Sequence, residues 1–359
     1  MHYEVWLVIG LVLALAWANG ANDIAKGVAT LVGSGTTHAR GAVLWAVVWT
    51  VLGGLVAIVW GSALLKVFSS GYLSAGFSVD LTFIASTLIG AAGWVLLATR
   101  LGLPVSTTHA LLGGIVGAVW MAAGIDGLRL DAVTRKALMP LLISPLIAVV
   151  LSAVLLLLAR CVAARVPAWS PGCCERKDWR KNPFICAGPT HSAPVSPWAG
   201  RVWVGLHWLS GGLISFARGL NDVPKIAAFL VLVVSLQPGL IALPGGDNRI
   251  PILAVTLFMA VGALWGGFRV LKILSRRVVP LDASSGVVAN LGTSLLVLLA
   301  SPLGIPVSTT HVSTGSLLGV RWTQGIRPRQ GDALRAILFA WLITLPVAAG
   351  LAALSGLFL

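Results

Sequence analysis

The chain has 359 residues, is 57% hydrophobic and only 10% charged, and carries a formal net charge of +14. Soluble domains run nearer about a quarter charged, so this composition excludes an ordinary soluble globule. The positive excess sits in short loops between apolar runs, where the loops of membrane proteins are basic, and this argues against nucleic acid as a partner.

Apolar runs of about 20 residues fit a bilayer core of about 30 Å. The first series falls near 3–20, 42–65, 81–99, 104–122 and 137–159. The second falls near 202–220, 251–271, 286–301, 303–320 and 335–358. Two shorter segments, 24–35 and 226–240, follow the opening run of each series. The pattern predicts an all-α polytopic membrane protein with ten full crossings and two re-entrant or broken segments. The N-terminal run lacks a basic stretch before it and carries Glu4, so it reads as a retained span rather than a cleaved signal. Trp6, Trp120, Trp203, Trp322 and Trp341 lie near run ends, where some fit an interfacial belt and others pack between helices.

Residues 160–201 form the one long polar stretch and divide an N-terminal repeat, 1–159, from a C-terminal repeat, 202–359. All four cysteines lie there: Cys161, Cys173, Cys174 and Cys186. Clustered in one loop, they imply no disulfide framework joining distant spans. Cys173, Cys174 and Cys186 with His191 offer metal-ligand types, but at no standard zinc spacing. The alternative is a reduced cytoplasmic linker held to anionic lipid by Arg176, Lys177, Arg180 and Lys181.

The two series are copies. Residues 95–109, VLLATRLGLPVSTTH, match residues 297–311, VLLASPLGIPVSTTH, at twelve of fifteen positions, with an offset of 202. Asn22-Asp23-Ile24-Ala25-Lys26 matches Asn221-Asp222-Val223-Pro224-Lys225 with an offset of 199. Five crossings per copy is an odd number, so the copies must be inverted. With both termini outside, the inside loops 160–201, 271–282 and 321–335 carry 14 Lys/Arg, against 5 in the outside loops 66–79, 122–136 and 241–250. That bias predicts a cytoplasmic central segment in a cell membrane. Inverted repeats around a shared site are the common plan of secondary transporters.

Asp23 and Asp222 each stand at the end of an apolar run, where an unpaired carboxylate is costly. Either each is a helix N-cap facing water, or the two meet near the midplane. There they and the Asn22 and Asn221 oxygens would bind a cation or a proton. Ser106, Thr107 and Thr108, and their copies Ser308, Thr309 and Thr310, follow Pro104 and Pro306 and precede small-residue apolar runs. Pro, Ser and Thr suit a helix start, so each motif is expected to open a half-helix whose free N–H groups and hydroxyls could hold a tetrahedral oxyanion. The competing reading is that these hydroxyls only cap and pack helices. Gly33-Ser34-Gly35 is either an unwound stretch of a binding site or a plain turn. His109 and His311 follow the hydroxyls, but no acid completes a hydrolase triad, so the chain is read as a non-enzyme and the histidines as packing or helix-bonding groups rather than proton relays.

These residues resemble a known family. GANDIAKGVATLVGSG, RGLNDVPKIAAFL and the two PVSTTH motifs are similar to the PiT family of inorganic phosphate transporters, across both halves. The resemblance implies cation-coupled phosphate uptake, an inverted-repeat core and often a homodimer. It implies that Asn22, Asp23, Asn221 and Asp222 serve the ion and substrate sites, and that the two Ser-Thr-Thr clusters line the substrate site. The family pattern Asn-Asp-x-Ala-Asn is broken here by Lys26 and Lys225, and by Pro224. Each lysine either is an internal cation that takes the place of sodium beside its aspartate, in favour of protons, or attracts the anion directly, or is a snorkelling interfacial group. No other cofactor is implied.

The resulting expectation is an ion-coupled phosphate symporter with alternating access. Sulfate, thiosulfate or another oxyanion stands second, and an uncoupled anion channel third. Phosphate near neutral pH retains a proton to donate and sulfate does not, so an acceptor carboxylate favours phosphate. The chain lacks a Gly-x-x-x-x-Gly-Lys-Ser/Thr loop, so it carries no P-loop ATP site of its own.

Overall fold

A computed structural model describes residues 2–165, 197–237, 247–275, 283–324 and 331–359. The elements in order are α1 (His2–Gly33), α2 (Ala39–Trp60), α3 (Ser62–Ser70), α4 (Leu81–Leu101) and α5 (Thr107–Ala123). A short turn, α6 (Leu130–Ala132), then winds through a π-helical stretch into α7 (Met139–Arg165). The second half holds α8 (Pro197–Leu236), α9 (Arg249–Gly266), α10 (Phe268–Ile273), α11 (Ala283–Ala300), α12 (Thr309–Thr323) and α13 (Gly331–Gly356). Among the described residues the sole β feature is an isolated bridge between Leu73 and Leu128.

Eight of these helices are long and apolar enough to cross a membrane. Large side chains such as Leu142, Leu146, Val150 and Leu157 on α7, and Leu342 on α13, lie exposed on the outside. An apolar exterior of this extent is stable against lipid, not water. The chain is a multi-pass membrane protein. Trp6, Trp120 and Trp322 are exposed, as a belt requires, whereas Trp341 packs on His311 with ring centroids 3.8 Å apart.

Among the described residues eight spans, not ten, are long enough to cross, and the expected breaks after the two opening runs are absent. Segments 24–35 and 226–240 are not separate: α1 runs unbroken for 32 residues through Asn22-Asp23, and α8 for 40 residues through Asn221-Asp222. The short polar side chains did not break the helices because the asparagines bond to neighbouring elements and the aspartates to other side chains, rather than back to their own backbone. Pro224 lies inside α8 without ending it. The Gly33-Ser34-Gly35 stretch is the plain turn: α1 stops there, Gly35 takes φ +77°, and the Thr36 amide closes on the Leu31 carbonyl.

The halves interlock. α5 packs on α13 and α12 on α7, while α1 packs on α9 and α8 on α2. Small residues let these backbones touch. A Cβ on Gly117 would strike the Ala349 carbonyl, and one on Gly319 would strike the Val149 carbonyl, the equivalent contact in the other half. Helix α7 therefore completes the second half's packing and α13 the first's. Of the cysteines, Cys161 is exposed on α7; Cys173, Cys174, Cys186 and His191 lie outside the described residues.

Candidate functional site

Helices α5 and α12, of 17 and 15 residues, are shorter than the about 20 needed to span a bilayer. Each begins on the predicted serine. Ser106 and Ser308 sit in extended conformation, and their Oγ atoms accept from the backbone N–H of His109 at 3.2 Å and His311 at 3.3 Å. Serine is thus the cap, and Pro104 and Pro306 stand two residues ahead of it in the incoming chain rather than in the first turn. Behind the caps the two histidine rings meet with centroids 4.3 Å apart, and His109 Nδ1 lies 2.9 Å from Ser106 Oγ.

The asparagines fix the segments that lead into these caps. Asn22 Nδ2 donates to Thr99 Oγ1 at 3.0 Å and to the Leu103 carbonyl at 2.9 Å, and its Oδ1 accepts from the Val105 amide at 3.1 Å. Asn221 Nδ2 donates to the Val307 carbonyl at 3.2 Å, and its Oδ1 accepts from Ser301 Oγ at 3.2 Å. Each half thereby ties its long helix to the start of its own short one.

The aspartates and lysines then join the halves. Lys26 Nζ donates to Asp23 Oδ1 at 2.5 Å, to the Val105 carbonyl at 2.9 Å and to Thr310 Oγ1. Lys225 Nζ donates to Asp222 Oδ1 at 3.3 Å, to the Val307 carbonyl at 3.0 Å and to Thr108 Oγ1 at 2.9 Å. Each ammonium takes a carboxylate and a carbonyl from its own half and a hydroxyl from the other. The threonines return the bond: Thr310 Oγ1 donates to the Val105 carbonyl at 2.8 Å and Thr108 Oγ1 to that of Val307 at 3.4 Å. The lysines do not snorkel; both are buried, as are the aspartates. Buried ions of this kind persist only when paired and hydrogen-bonded.

Asp23 and Asp222 face one another through Asn19, whose Nδ2 lies 3.3 Å from Asp23 Oδ2 and 3.5 Å from Asp222 Oδ2, and donates to Thr107 Oγ1 at 2.9 Å. Among the predicted residues, Asn22, Asp23, Lys26, Asn221, Asp222, Lys225, Thr107, Thr108 and Thr310 thus join one connected polar cluster. Ser106 and Ser308 hold its helix starts, and Thr309 is buried beside Ser308. The cluster holds the two ammonium groups in cages of oxygen atoms and sets two helix N-termini beside them. Such ends attract anions.

Sequence reasoning missed two members. Asn19 bridges the carboxylates, and Arg218, 2% exposed, donates from Nη2 to Thr50 Oγ1 at 3.1 Å. The offset of 199 places them at equivalent positions, each four residues before its aspartate. A search for polar residues one helical turn from Asp23 and Asp222 would have found both; a search for identical residues could not.

The chain and its architecture match known proteins. The phosphate transporter family aligns with residues 19–352. A Mycobacterium leprae protein named "Probable low-affinity inorganic phosphate transporter" is 28% identical, over 99% of this chain and 78% of its own length. Its namesake from Mycobacterium tuberculosis strain H37Rv is 29% identical, over 97% of this chain and 76% of its own. A solved structure titled "The sodium-dependent phosphate transporter" superposes with a TM-score of 0.83 at 23% identity, over 99% of this chain and 98% of that one, and so shares the fold. With the family matched along nearly the whole chain, this chain belongs to the phosphate transporter family.

Proposed function

We propose that this chain is a secondary active transporter that imports inorganic phosphate by ion-coupled symport with alternating access. The observation that carries the reading is the convergence of two capped helix starts, one from each half, on one buried cluster holding Asp23 and Asp222. A tetrahedral anion there would meet N–H groups and hydroxyls from both halves. Relative movement of the halves would then expose it to one side or the other. Ser106, Thr107, Thr108, Ser308, Thr309 and Thr310 are the proposed substrate lining, with Asn22 and Asn221 holding its geometry. The names of the mycobacterial relatives support phosphate as the cargo.

Coupling would run through Asp23, Asp222, Lys26 and Lys225. Each ammonium occupies a cage of carboxylate, carbonyl and hydroxyl oxygens, a donor set that also suits a small hard cation. A tethered cation in each cage favours proton over sodium coupling. The distribution of Lys and Arg supports termini outside and a cytoplasmic segment between α7 and α8 in a cell membrane.

The test is uptake of radiolabelled phosphate into proteoliposomes containing the full chain, with and without sodium or a pH gradient, competed with arsenate, sulfate and thiosulfate. Concentrative, gradient-driven uptake is expected. Flux that only dissipates a phosphate gradient would make the chain a channel, and full dependence on sodium would remove the role given to the lysines. Sulfate is the second reading, because Lys26 and Lys225 already engage one oxygen of each carboxylate that would otherwise accept a proton from phosphate.

A further inference from the structure

Inside the cluster the charges do not balance. Asp23 pairs with Lys26 at 2.5 Å and Asp222 with Lys225 at 3.3 Å, one to one. Arg218 is then a fifth ion, buried on α8 and within electrostatic reach of both Asp23 and Asp222. No ion pair within 4.0 Å is formed by it among the described residues. Its Nη2 uses Thr50, while Nε and Nη1 are buried without a hydrogen-bond partner among the described residues. A guanidinium has five donors in a fixed fork, and one that is desolvated with most of them idle is unstable unless an anion completes it.

The equivalent position in the first half carries the opposite deficiency. Asn19 Nδ2 reaches Asp23, Asp222 and Thr107. Carboxylates only accept, so the amide nitrogen must face them, and Oδ1 is turned the other way. That Oδ1 is buried with no donor supplied to it among the described residues. Thus two residues related by the internal repeat, both four residues before the coupled aspartates, leave idle donors on one side and an idle acceptor on the other. Water could serve one or the other, but the net positive charge calls for an anion.

We infer that Arg218 is the charged anion ligand of this site and that Asn19 is the acceptor that reads a proton on the bound oxyanion. The site therefore takes a tetrahedral oxyanion that still carries a hydroxyl, the class of phosphate and arsenate, in preference to sulfate. Arg218 supplies N–H groups to the unprotonated oxygens through a planar fork suited to them. Asn19 Oδ1 accepts from the hydroxyl, a bond that sulfate near neutral pH cannot make, and an acceptor left unfilled discriminates strongly. The inference rests on the oxyanion-transport reading and assigns its selectivity to two residues outside the Ser-Thr-Thr motifs.

The experiment is equilibrium binding of phosphate, arsenate and sulfate to the purified full-length chain at neutral pH, beside the ligand-dependent shift of its melting temperature. The native protein is expected to bind phosphate and arsenate about tenfold or more tightly than sulfate. Arg218→Gln should weaken all three by about tenfold or more and lose the phosphate-dependent thermal shift, a change that a merely structural arginine would not produce. Asn19→Ser should narrow the preference for phosphate over sulfate. A monodisperse Arg218→Gln protein that binds phosphate with native affinity overturns the assignment of Arg218, and equal native affinity for sulfate and phosphate overturns that of Asn19. Should Arg218→Gln fail to fold, Arg218→Lys retains the charge without the fork. It is expected to weaken binding severalfold, and native affinity in it is equally fatal. A native chain that neither binds nor moves any of the three anions removes the transport reading itself, and is recognised by the loss appearing before any substitution.

Discussion

Lys225 Nζ donates to Thr108 Oγ1 at 2.9 Å, joining an ammonium of the second half to a hydroxyl at the start of α5 in the first. Lys26 makes the equivalent bond to Thr310 at the start of α12. The two halves are thus tied at the cluster by a reciprocal pair of contacts, which relative motion of the halves there would have to break or exchange.

Removing either carboxylate strands a buried ammonium. Asp23→Asn or Asp222→Asn is expected to abolish phosphate uptake and to cost about 3–5 kcal/mol of stability, because the partner lysine then stays charged without its counter-ion. Uptake assays and thermal melting of the purified protein check the two parts separately, and native uptake in both variants would refute the assignment.

The pairing can be tested by compensation. Combining Asp23→Asn with Lys26→Met should restore a large part of the stability lost in Asp23→Asn alone, since both ions leave together. Additive losses in a double-mutant cycle of melting temperatures would contradict the ion pair.

Neutralising one tethered cation should also change the ion requirement. Lys225→Ala leaves Asp222, the Val307 carbonyl and Thr108 as an all-oxygen cage. Its uptake is expected to become stimulated severalfold by sodium, whereas the native protein responds little. The readout is initial rate against sodium concentration at fixed pH, and a flat response in the variant opposes the cage.

The serines hold the ends of the short helices. Ser106→Ala or Ser308→Ala should cost about 0.5–2 kcal/mol through loss of the cap and raise the half-saturation concentration for phosphate. Melting curves and uptake titrations measure both effects; an unchanged half-saturation concentration in the two variants counts against an oxyanion at these helix starts.

The glycine contacts give a prediction about packing alone. Gly117→Val should destabilise by about 1–3 kcal/mol through overpacking, because its side chain would be driven into the Ala349 carbonyl of α13. Gly319→Val should act alike against Val149 on α7. Gly10, whose Cβ position has open space inside α1, is the control, and Gly10→Ala should not lower the melting temperature.

Much of this was legible along the chain because it is local. Apolar runs set the helices, Ser106 and Ser308 set the starts of α5 and α12, and the repeat of Asn-Asp and Ser-Thr-Thr set their equivalence. The continuity of α1 through Asn22-Asp23 was not legible. Whether a short polar side chain bends back on its helix depends on whether Thr99 and the Leu103 carbonyl stand opposite to receive it. Arg218 and Asn19 escaped notice for a related reason: one is basic and the other an amide, so the repeat concealed that they occupy one place.

The sequence by itself determined that the chain spans a membrane in two copies of one plan, each with a carboxylate beside a lysine and a serine-capped short helix, because composition, period and caps act within a few residues. Only the tertiary structure decided that each lysine bonds the opposite half, that α7 and α13 exchange partners, and that Arg218 is left over after the other charges pair. Those outcomes depend on which helix faces meet, and contact between residues far apart in the chain is fixed by packing shape and charge balance rather than by neighbours in sequence.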